Sequence, residues 1–261
     1  MHDLFVTTVQ AKLFWEDRTA NLQMLEEKIR KLQGSQVVVL PEMFSTGFSM
    51  RPEELAETMQ GPSIRWMREI SAEKNIILTG SLMISEDDRF YNRLIWMLPN
   101  GQAGYYDKRH LFAYAGEDKH YTAGSKRLVA RVGGWRILLL TCYDLRFPVW
   151  SRQQMSPEGA EYDVIIYVAN WPERRSYAWR SLLVARAIEN QCYVVGVNRT
   201  GEDGNGIYHS GDSMVIDPLG EILFHVAHKE DVSTHTLIGE KLKTIRQKLP
   251  FLPDRDQFSI D

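Results

Sequence analysis

Stretches of apolar residues alternate along this chain with segments in which apolar residues recur every three or four positions. The first stretch, LFVTTVQ at 4–10, is rich in residues that favour strands and predicts a β-strand. Leucine and isoleucine then recur at helical spacing, which predicts an amphipathic helix over roughly 18–33 that stops at Gly34. The continuous apolar run within 36–40 predicts a strand buried on both faces.

The rest of the chain continues this alternation of strands and helices. Pro62 suits the first turn of a helix over 62–74, and another helix is expected near 174–190. The segment IGEKLKTIRQKLP predicts a short helix before an irregular tail. Apolar runs predict further strands at 75–84, 135–141, 163–170 and 192–198.

Asn100-Gly101 separates the two strand-like segments RLIWML and QAGYYD. Because both residues tolerate positive φ, the pair predicts a tight hairpin, which a purely parallel barrel would lack. Buried strands that alternate with helices, combined with hairpins, predict an α/β sandwich with mixed sheets. No repeat or Pro/Gly/Ser linker divides the sequence, so a single domain over 1–261 is expected.

The composition limits the classes of partner. The chain has 261 residues, 44% of them hydrophobic and 25% charged, which is enough to bury a large core. The formal net charge of −3 argues against nucleic acid or an anionic membrane as the main partner, because both reward a strongly basic face. The start lacks the pattern of a signal peptide, and no apolar run approaches the roughly 18 residues of a membrane span. Two cysteines are too few for a disulfide framework, so we expect a cytoplasmic protein.

Residues with reactive side chains follow several of the predicted strands. Glu42, Cys142 and Asn170 each come after an apolar run, and Lys108 closes the segment GYYD. In open α/β sheets ligands bind beyond the carboxyl ends of the strands, so these side chains are expected to converge. A carboxylate can take the proton of a thiol, and an ammonium group favours both a thiolate and an oxyanion. The amide N–H of Tyr143 is a candidate second oxyanion donor.

Each of these residues also has an ordinary structural explanation. A buried cysteine at a strand end is usually a small core residue, and a glutamate there is usually a cap or half of an ion pair. A lysine in DKRH is usually a solvated charge. The three residue types together favour a site more than any one of them does, but their spacing alone leaves both readings open.

Three segments that carry these residues, LPEMF, YDKRHLF and TCYDLRFP, resemble the signature segments of the nitrilase superfamily of carbon–nitrogen hydrolases. The resemblance covers about 4 to about 240 and leaves a C-terminal tail of about 241–261. It implies a four-layer αββα sandwich with mixed sheets and a catalytic triad of Glu42, Lys108 and Cys142. It also implies at least a homodimer, and no metal or cofactor is expected.

The resemblance further assigns a role to Glu117, which would hold Lys108 and help to position the attacking water. Ala123 stands where many members of the superfamily have proline. In the mechanism that the resemblance implies, Glu42 takes the proton of Cys142 and the sulfur attacks an amide carbonyl. Water then hydrolyses the resulting thioester.

The combination of CYDLRFP, NWP and ARAIENQCYV most resembles the omega-amidase branch of the superfamily. Enzymes of that branch act on terminal amides of small dicarboxylate monoamides, such as 2-oxoglutaramate and 2-oxosuccinamate. The free carboxylate of such a substrate requires an arginine or another strong donor in the pocket. The candidate substrate-binding residues are Arg174, Arg175, Phe44, Phe48, Asn170 and Trp171. Arg146 is either a substrate contact or half of a structural salt bridge with Asp144, and the structural role is favoured.

Other chemistries find less support in the sequence. His110 lies close to Lys108, but neither cysteine has the local sequence of a papain-like or caspase-like site. The chain has no H-E-x-x-H motif, and the loop GEDGNG at 201–206 lacks the lysine of a phosphate loop and predicts a mobile segment. Cys192 is expected in the core. The remaining alternatives are an amidase for carbamoyl or aliphatic amides and a non-catalytic binding protein on the same fold.

Overall fold

The computed structural model describes residues 2–156 and 159–259, and two mixed β-sheets form its centre. The first sheet contains six strands, in spatial order β15 (Asp231–Leu237), β1 (Leu4–Gln10), β2 (Val37–Val39), β3 (Ile77–Glu86), β4 (Arg89–Met97) and β5 (Ala103–Asp107). The second contains β12 (Thr200–Glu202), β13 (Tyr208–Ile216), β11 (Tyr193–Asn198), β10 (Val164–Ala169), β7 (Trp135–Thr141) and β6 (Leu128–Val132), with β14 (Ile222–Ala227) also paired to β13. A two-stranded ribbon is formed by β8 (Met155–Ser156) and β9 (Gly159–Ala160).

Helices cover the outer faces of the two large sheets. The α-helices are α1 (Arg18–Arg30), α2 (Pro52–Leu55), α3 (Pro62–Lys74), α4 (Glu117–His120), α5 (Pro148–Ser151), α6 (Ser176–Asn190) and α7 (Gly239–Lys248). Short 3₁₀ turns occur at Ala113–Ala115, Cys142–Arg146, Glu173–Arg175 and Leu252–Asp254. Helices α1 and α3 pack on the first sheet, α6 packs on the second, and the two sheets pack against each other. The predicted four-layer αββα sandwich is confirmed.

Local sequence explains where the helices begin and end. The carboxylate of Asp17 accepts a hydrogen bond from the N–H of Ala20 and caps α1, which ends at Arg30, before the predicted residue 33. Pro62 begins α3 as predicted, and Asn75 ends it in the left-handed conformation with a φ of 53°.

Parallel pairing places the ends of several strands together. In the second sheet β7, β10 and β11 run parallel, and in the first sheet β1, β2 and β3 do so. Glu42 follows β2, Cys142 follows β7 and Asn170 follows β10. All three therefore leave the carboxyl ends of central strands, which is where an α/β sheet usually binds its ligand.

The predicted hairpin at Asn100-Gly101 is confirmed, since it joins the antiparallel strands β4 and β5. Strand β15 was not predicted because its sequence, DVSTHTL, is polar, and it forms the edge of the first sheet beside β1. Helix α7 crosses the tail boundary expected at residue 241, and its Leu242 and Ile245 are buried. In the described ranges, no helix has both the length and the apolar character that a membrane span requires.

Candidate active site

Lys108 lies between two buried carboxylates. Its Nζ donates to Oε1 of Glu42 at 2.9 Å and to both carboxylate oxygens of Glu117 at 3.0 and 2.8 Å. Burial lowers the pKa of Lys108, but the charges of Glu117 and Glu42 outweigh this and raise it, so the lysine is a cation at neutral pH. Burial raises the pKa of Glu117 more than the neighbouring lysine lowers it.

Asn92 joins the same two carboxylates from the middle of β4. Its Nδ2 donates to Oε1 of Glu42 at 2.8 Å and to Oε1 of Glu117 at 3.0 Å. Its backbone carbonyl accepts from the N–H of Lys108 at 3.0 Å. The N–H of Phe112 donates to the other Glu117 oxygen at 2.6 Å. Neutral donors therefore fix the orientation of both carboxylates in addition to the lysine.

The Cys142 thiol stands on a sharp turn at the carboxyl end of β7. Its φ of 43° lies in the left-handed region, which is uncommon for a residue other than glycine. Burial, then the charge of Glu42, raises the pKa of the thiol well above its ordinary value, and Lys108 lowers it in part. The thiol is therefore protonated at neutral pH and needs a base, and the carboxylate of Glu42 interacts with it directly.

The amide of Tyr143 lies in the first turn of the 3₁₀ segment that begins at Cys142. The first N–H groups of a helix have no partner within it, so this one is free of intrahelical bonding. The Tyr143 ring packs edge-on against Phe112 and Phe147, with centroids 5.0 Å apart in each case. This N–H and the ammonium group of Lys108 are the two candidate donors to an oxyanion beside the thiol.

A cavity of about 240 Å³ is lined by the Cys142 thiol. Its volume lies below the range of cavities that hold drug-sized ligands, so it suits a small substrate. Aromatic side chains form much of its wall, namely those of Phe48, Phe112, Tyr114 and Trp171. Asn170, a predicted substrate contact, also lines the cavity.

Three arginines bring positive charge to this cavity, namely Arg146, Arg174 and Arg175. The half-buried guanidinium of Arg146 lies 4.9 Å from the centre of the Trp171 ring, and that of Arg175 lies 5.2 Å from the Phe112 ring. Arg174 is exposed. Burial is the main cause that lowers the pKa of Arg175, and the charge of Arg174 lowers it further. An anionic ligand would offset the repulsion among these cations.

The predicted loop at 201–206 is shorter than expected, because Gly201 and Glu202 belong to β12, and its Asp203 forms part of the cavity rim. The carboxylate of Asp203 accepts from the N–H groups of Asn205 and Ile207 at 2.8 and 3.0 Å. His209 follows the loop and also lines the cavity, although only 2% of its surface is exposed. Burial lowers the pKa of His209 to about 4, so its imidazole is neutral at pH 7.

Comparison with known proteins agrees with this geometry. The family model for carbon–nitrogen hydrolases matches residues 5–247. The chain belongs to the carbon–nitrogen hydrolase family. Its members hydrolyse carbon–nitrogen bonds, and this chain is therefore a hydrolase of that class.

Individual relatives cover the chain almost completely. The omega-amidase YafV of Escherichia coli K12 is 43% identical over 262 residues, with 100% of both chains covered. The 2-oxoglutaramate amidase of Bacillus subtilis is 30% identical and covers 95% of this chain and 96% of its own. A superfamily member from Xanthomonas campestris, whose crystal structure carries an arsenic adduct in the active site, has a TM-score of 0.98 at 42% identity over the whole of both chains.

Two residues lie elsewhere in this hydrolase than the sequence suggested. Phe44, a predicted substrate contact, is fully buried beneath the first sheet with its ring 5.9 Å from Trp66, and it does not line the cavity. The chain reverses at Met43, which has a φ of 44°. The predicted salt bridge between Arg146 and Asp144 is wrong, because other donors occupy both oxygens of Asp144.

The alternative chemistries gain no support from the structure. His110 approaches Asp144, with Nδ1 at 2.8 Å from the carboxylate, and is not paired with a cysteine in the described ranges. Cys192 is fully buried in the core, as predicted. Across residues 2–156 and 159–259, no group of three or more histidine, cysteine, aspartate or glutamate side chains is arranged to hold a metal ion.

Sequence reasoning missed Asn92 and His209 as members of the site, and it favoured a structural role for Arg146 over a contact with substrate. One signal was available for Asn92, since it is a lone amide within the otherwise strand-like segment RFYNRLIWM. A buried amide in a strand needs partners, and here the partners are the two carboxylates. His209 gave no comparable signal, because only the packing of β13 brings it to the cavity.

Proposed function

We propose that this hydrolase releases ammonia from the terminal amide of a small 2-oxo dicarboxylate monoamide, 2-oxoglutaramate or 2-oxosuccinamate, through a thioester on Cys142. The observation that carries the proposal is the contact of the Cys142 thiol with the Glu42 carboxylate, inside a small cavity that also contains three arginines. The thiol and its base would attack the amide of such a substrate, and the arginines would bind its carboxylate. The names of the omega-amidase and 2-oxoglutaramate amidase relatives support the same substrate class.

In the first half of the reaction, Glu42 takes the proton of the thiol while Sγ forms a bond to the amide carbon. The electron pair of the carbonyl bond moves to oxygen, and Lys108 Nζ with the Tyr143 N–H stabilises the resulting oxyanion. The protonated Glu42 then gives its proton to the amide nitrogen. The carbon–nitrogen bond breaks, ammonia leaves and the acyl group remains on Cys142 as a thioester.

In the second half, water enters the position that ammonia vacated. Glu42 takes a proton from this water while its oxygen attacks the thioester carbon, and the same two donors stabilise the second oxyanion. The carbon–sulfur bond then breaks, and Glu42 returns the proton to the sulfur of Cys142. The two halves consume one water and release one ammonia and one carboxylic acid.

Arg146 and Arg175 are the best candidates to bind the substrate carboxylate. Both are partly buried, and aromatic rings hold both guanidinium groups in place. A preorganised arginine loses less side-chain entropy on binding than an exposed one, which disfavours Arg174. The aromatic wall near Phe112 would pack against the carbon chain of the substrate.

We propose a homodimer that forms through the outer side of α6. Ile188 of that helix contacts the β13–β14 turn at Gly220, and it is 51% exposed. Leu219 of the same turn and Ile222 and Leu223 at the start of β14 are also exposed. Exposed apolar side chains that gather on one face of a globular protein often mark a protein interface.

The deciding experiment measures ammonia release from 2-oxoglutaramate by the wild-type protein and by Cys142→Ala. We expect release by the wild type only, and intact-mass measurement of the quenched wild-type reaction should detect an acyl adduct on the Cys142 peptide. N-Carbamoyl amines and butyramide serve as comparison substrates. Faster turnover of a carbamoyl amine would replace the substrate assignment, whereas absence of both turnover and adduct with every amide would favour a non-catalytic binding protein.

A further inference from the structure

One buried carboxylate connects the turn that carries the nucleophile to the segment that carries the lysine. Asp144 lies two residues after Cys142, and its side chain is fully buried. Its Oδ2 accepts from the N–H of Thr141 at 3.0 Å, so it ties both sides of the Cys142 turn together. The left-handed backbone of Cys142 is therefore held by a bond that spans it.

The same carboxylate binds the chain on both sides of Lys108. The hydroxyl of Tyr106 donates to Oδ2 of Asp144 at 2.7 Å. The N–H of His110 donates to Oδ1 at 3.0 Å, and the Nδ1 of the same histidine lies 2.8 Å from that oxygen. Tyr106 precedes the lysine by two residues and His110 follows it by two. The carboxylate of Asp144 therefore accepts hydrogen bonds from the chain on both sides of Lys108.

The surrounding contacts make this connection rigid. The Tyr106 hydroxyl also accepts from the N–H of Arg109 at 3.1 Å and from Nε1 of Trp150 at 3.0 Å. Burial, then the charge of Asp144, raises the pKa of Tyr106 well above its ordinary value, so the phenol remains a donor. The His110 ring stacks on Phe147 with centroids 3.9 Å apart. These aromatic groups exclude water from the bonds to Asp144.

We infer that Asp144 is a positioning residue that sets the place of Lys108 relative to the thiol of Cys142. It touches neither reacting atom, and acts through the backbone on either side of both residues. The kcat measurement for this role rests on the proposed function, because it needs 2-oxoglutaramate as the substrate. The effect of Asp144 on the thiol can be measured without any amide substrate. An asparagine in its place would keep one accepting oxygen and turn an NH₂ group towards donors on the other side.

The test measures two quantities in Asp144→Asn, namely kcat for ammonia release and the rate at which iodoacetamide alkylates Cys142 at pH 7.5. A displacement of catalytic groups by about 1 Å costs about 10²-fold in rate, so we expect kcat to fall by about that factor with KM within about threefold of wild type. Because Lys108 lowers the pKa of the thiol, its displacement should also slow alkylation at least about fivefold.

Asp163→Asn is the matched control. Asp163 is 2% exposed and accepts four hydrogen bonds from Arg136 and Arg246, but it precedes β10, at the opposite end of that strand from Asn170. We expect this variant to lose stability while its alkylation rate stays at the wild-type level. Equal loss of the alkylation rate in both variants would show a general structural effect and overturn the inference.

Tyr106→Phe decides the case in which Asp144→Asn does not fold. The variant keeps the aromatic ring but removes the donor to Asp144 and the acceptor for the N–H groups of Arg109 and Trp150, so kcat and alkylation should fall together by at least about fivefold. If Asp144→Asn folds and is alkylated at the wild-type rate, the inference is overturned. If Asp144→Asn does not fold, a wild-type alkylation rate in Tyr106→Phe overturns it. If the wild type does not turn over 2-oxoglutaramate, the proposed substrate fails, and the alkylation rates still decide the role of Asp144.

Discussion

Two hydrogen bonds join Glu42 and Asn170, which follow strands of different sheets. The N–H of Asn170 donates to Oε2 of Glu42 at 2.8 Å, and its Nδ2 donates to the backbone carbonyl of Glu42 at 2.5 Å. The proposed base is thus aligned by the sheet that carries the nucleophile, although it belongs to the other one. The relative position of the two sheets is therefore part of the catalytic geometry.

Asn170→Ala should weaken this alignment without removing the backbone bond to Oε2. We expect the loss of one buried hydrogen bond to lower kcat about tenfold and the free energy of unfolding by about 1–2 kcal/mol. Steady-state ammonia release and urea unfolding measure the two effects. Asn190→Ala removes a buried asparagine on α6 that bonds to Gln153 and Arg186, so it should lower stability alone. A wild-type kcat in Asn170→Ala would contradict the alignment role.

The pH dependence of thiol alkylation should reflect the raised pKa of Cys142. We expect the wild-type rate with iodoacetamide to keep rising up to pH 9, because the thiol pKa lies well above its ordinary value. Glu42→Gln removes the largest charge that raises this pKa, so its profile should shift to lower pH. Its turnover of 2-oxoglutaramate should nevertheless fall at least about 10²-fold for want of a base. A wild-type plateau below pH 8 would refute the assignment of a protonated resting thiol.

Acid should destabilise the fold through His209. Its pKa is about 4 in the folded protein and about 6.5 in the unfolded chain, so between these values the unfolded state binds more protons. Stability should therefore rise with pH in this window, with a contribution of up to about 1.4 kcal/mol per pH unit from this residue. Urea unfolding at pH 4.5, 5.5 and 7 measures the slope. His209→Asn should reduce the slope, and an unchanged slope would exclude His209 as its source.

Binding of the substrate carboxylate should depend on Arg146 and Arg175 more than on Arg174. We expect Arg146→Gln and Arg175→Gln each to raise KM for 2-oxoglutaramate by about 10- to 100-fold, since a hydrogen bond to a charged group contributes about 1.5–3 kcal/mol. Arg174→Gln, at an exposed site, should change KM less than about threefold. Butyramide lacks a carboxylate, so its KM should not respond. The assignment fails if Arg174→Gln has the largest effect.

The proposed dimer predicts a change of mass in solution. Sedimentation velocity should give a dimer for the wild type and a monomer for Ile188→Glu, because a charge would then be buried in the interface. Phe14→Glu introduces the same charge at a residue that is 52% exposed outside this patch, and it should remain dimeric. A monomeric wild type at micromolar concentration would rule out the proposed interface.

Much of the fold follows from short segments of the sequence. The predictions for α3, β7, β10 and the hairpin at 100–101 are confirmed, because their apolar periods and turn residues act locally. The polar edge strand β15 could not be predicted, since its structure depends on pairing with β1 more than 200 residues earlier. Phe44 was misplaced for a related reason, as the turn at Met43 sends its ring into the core.

The sequence by itself determined which strands end in reactive residues, and through its three motifs it pointed to Glu42, Lys108 and Cys142 as one set. Only the tertiary structure decided how charge and hydrogen bonds are shared among them. Asn92 and Asn170 reach the carboxylate of Glu42 from two different sheets. Arg146 lines the cavity, while donors from Tyr106, His110 and Thr141 occupy Asp144. Hydrogen bonds between distant segments depend on packing, and no local pattern in a sequence records which partner is nearest.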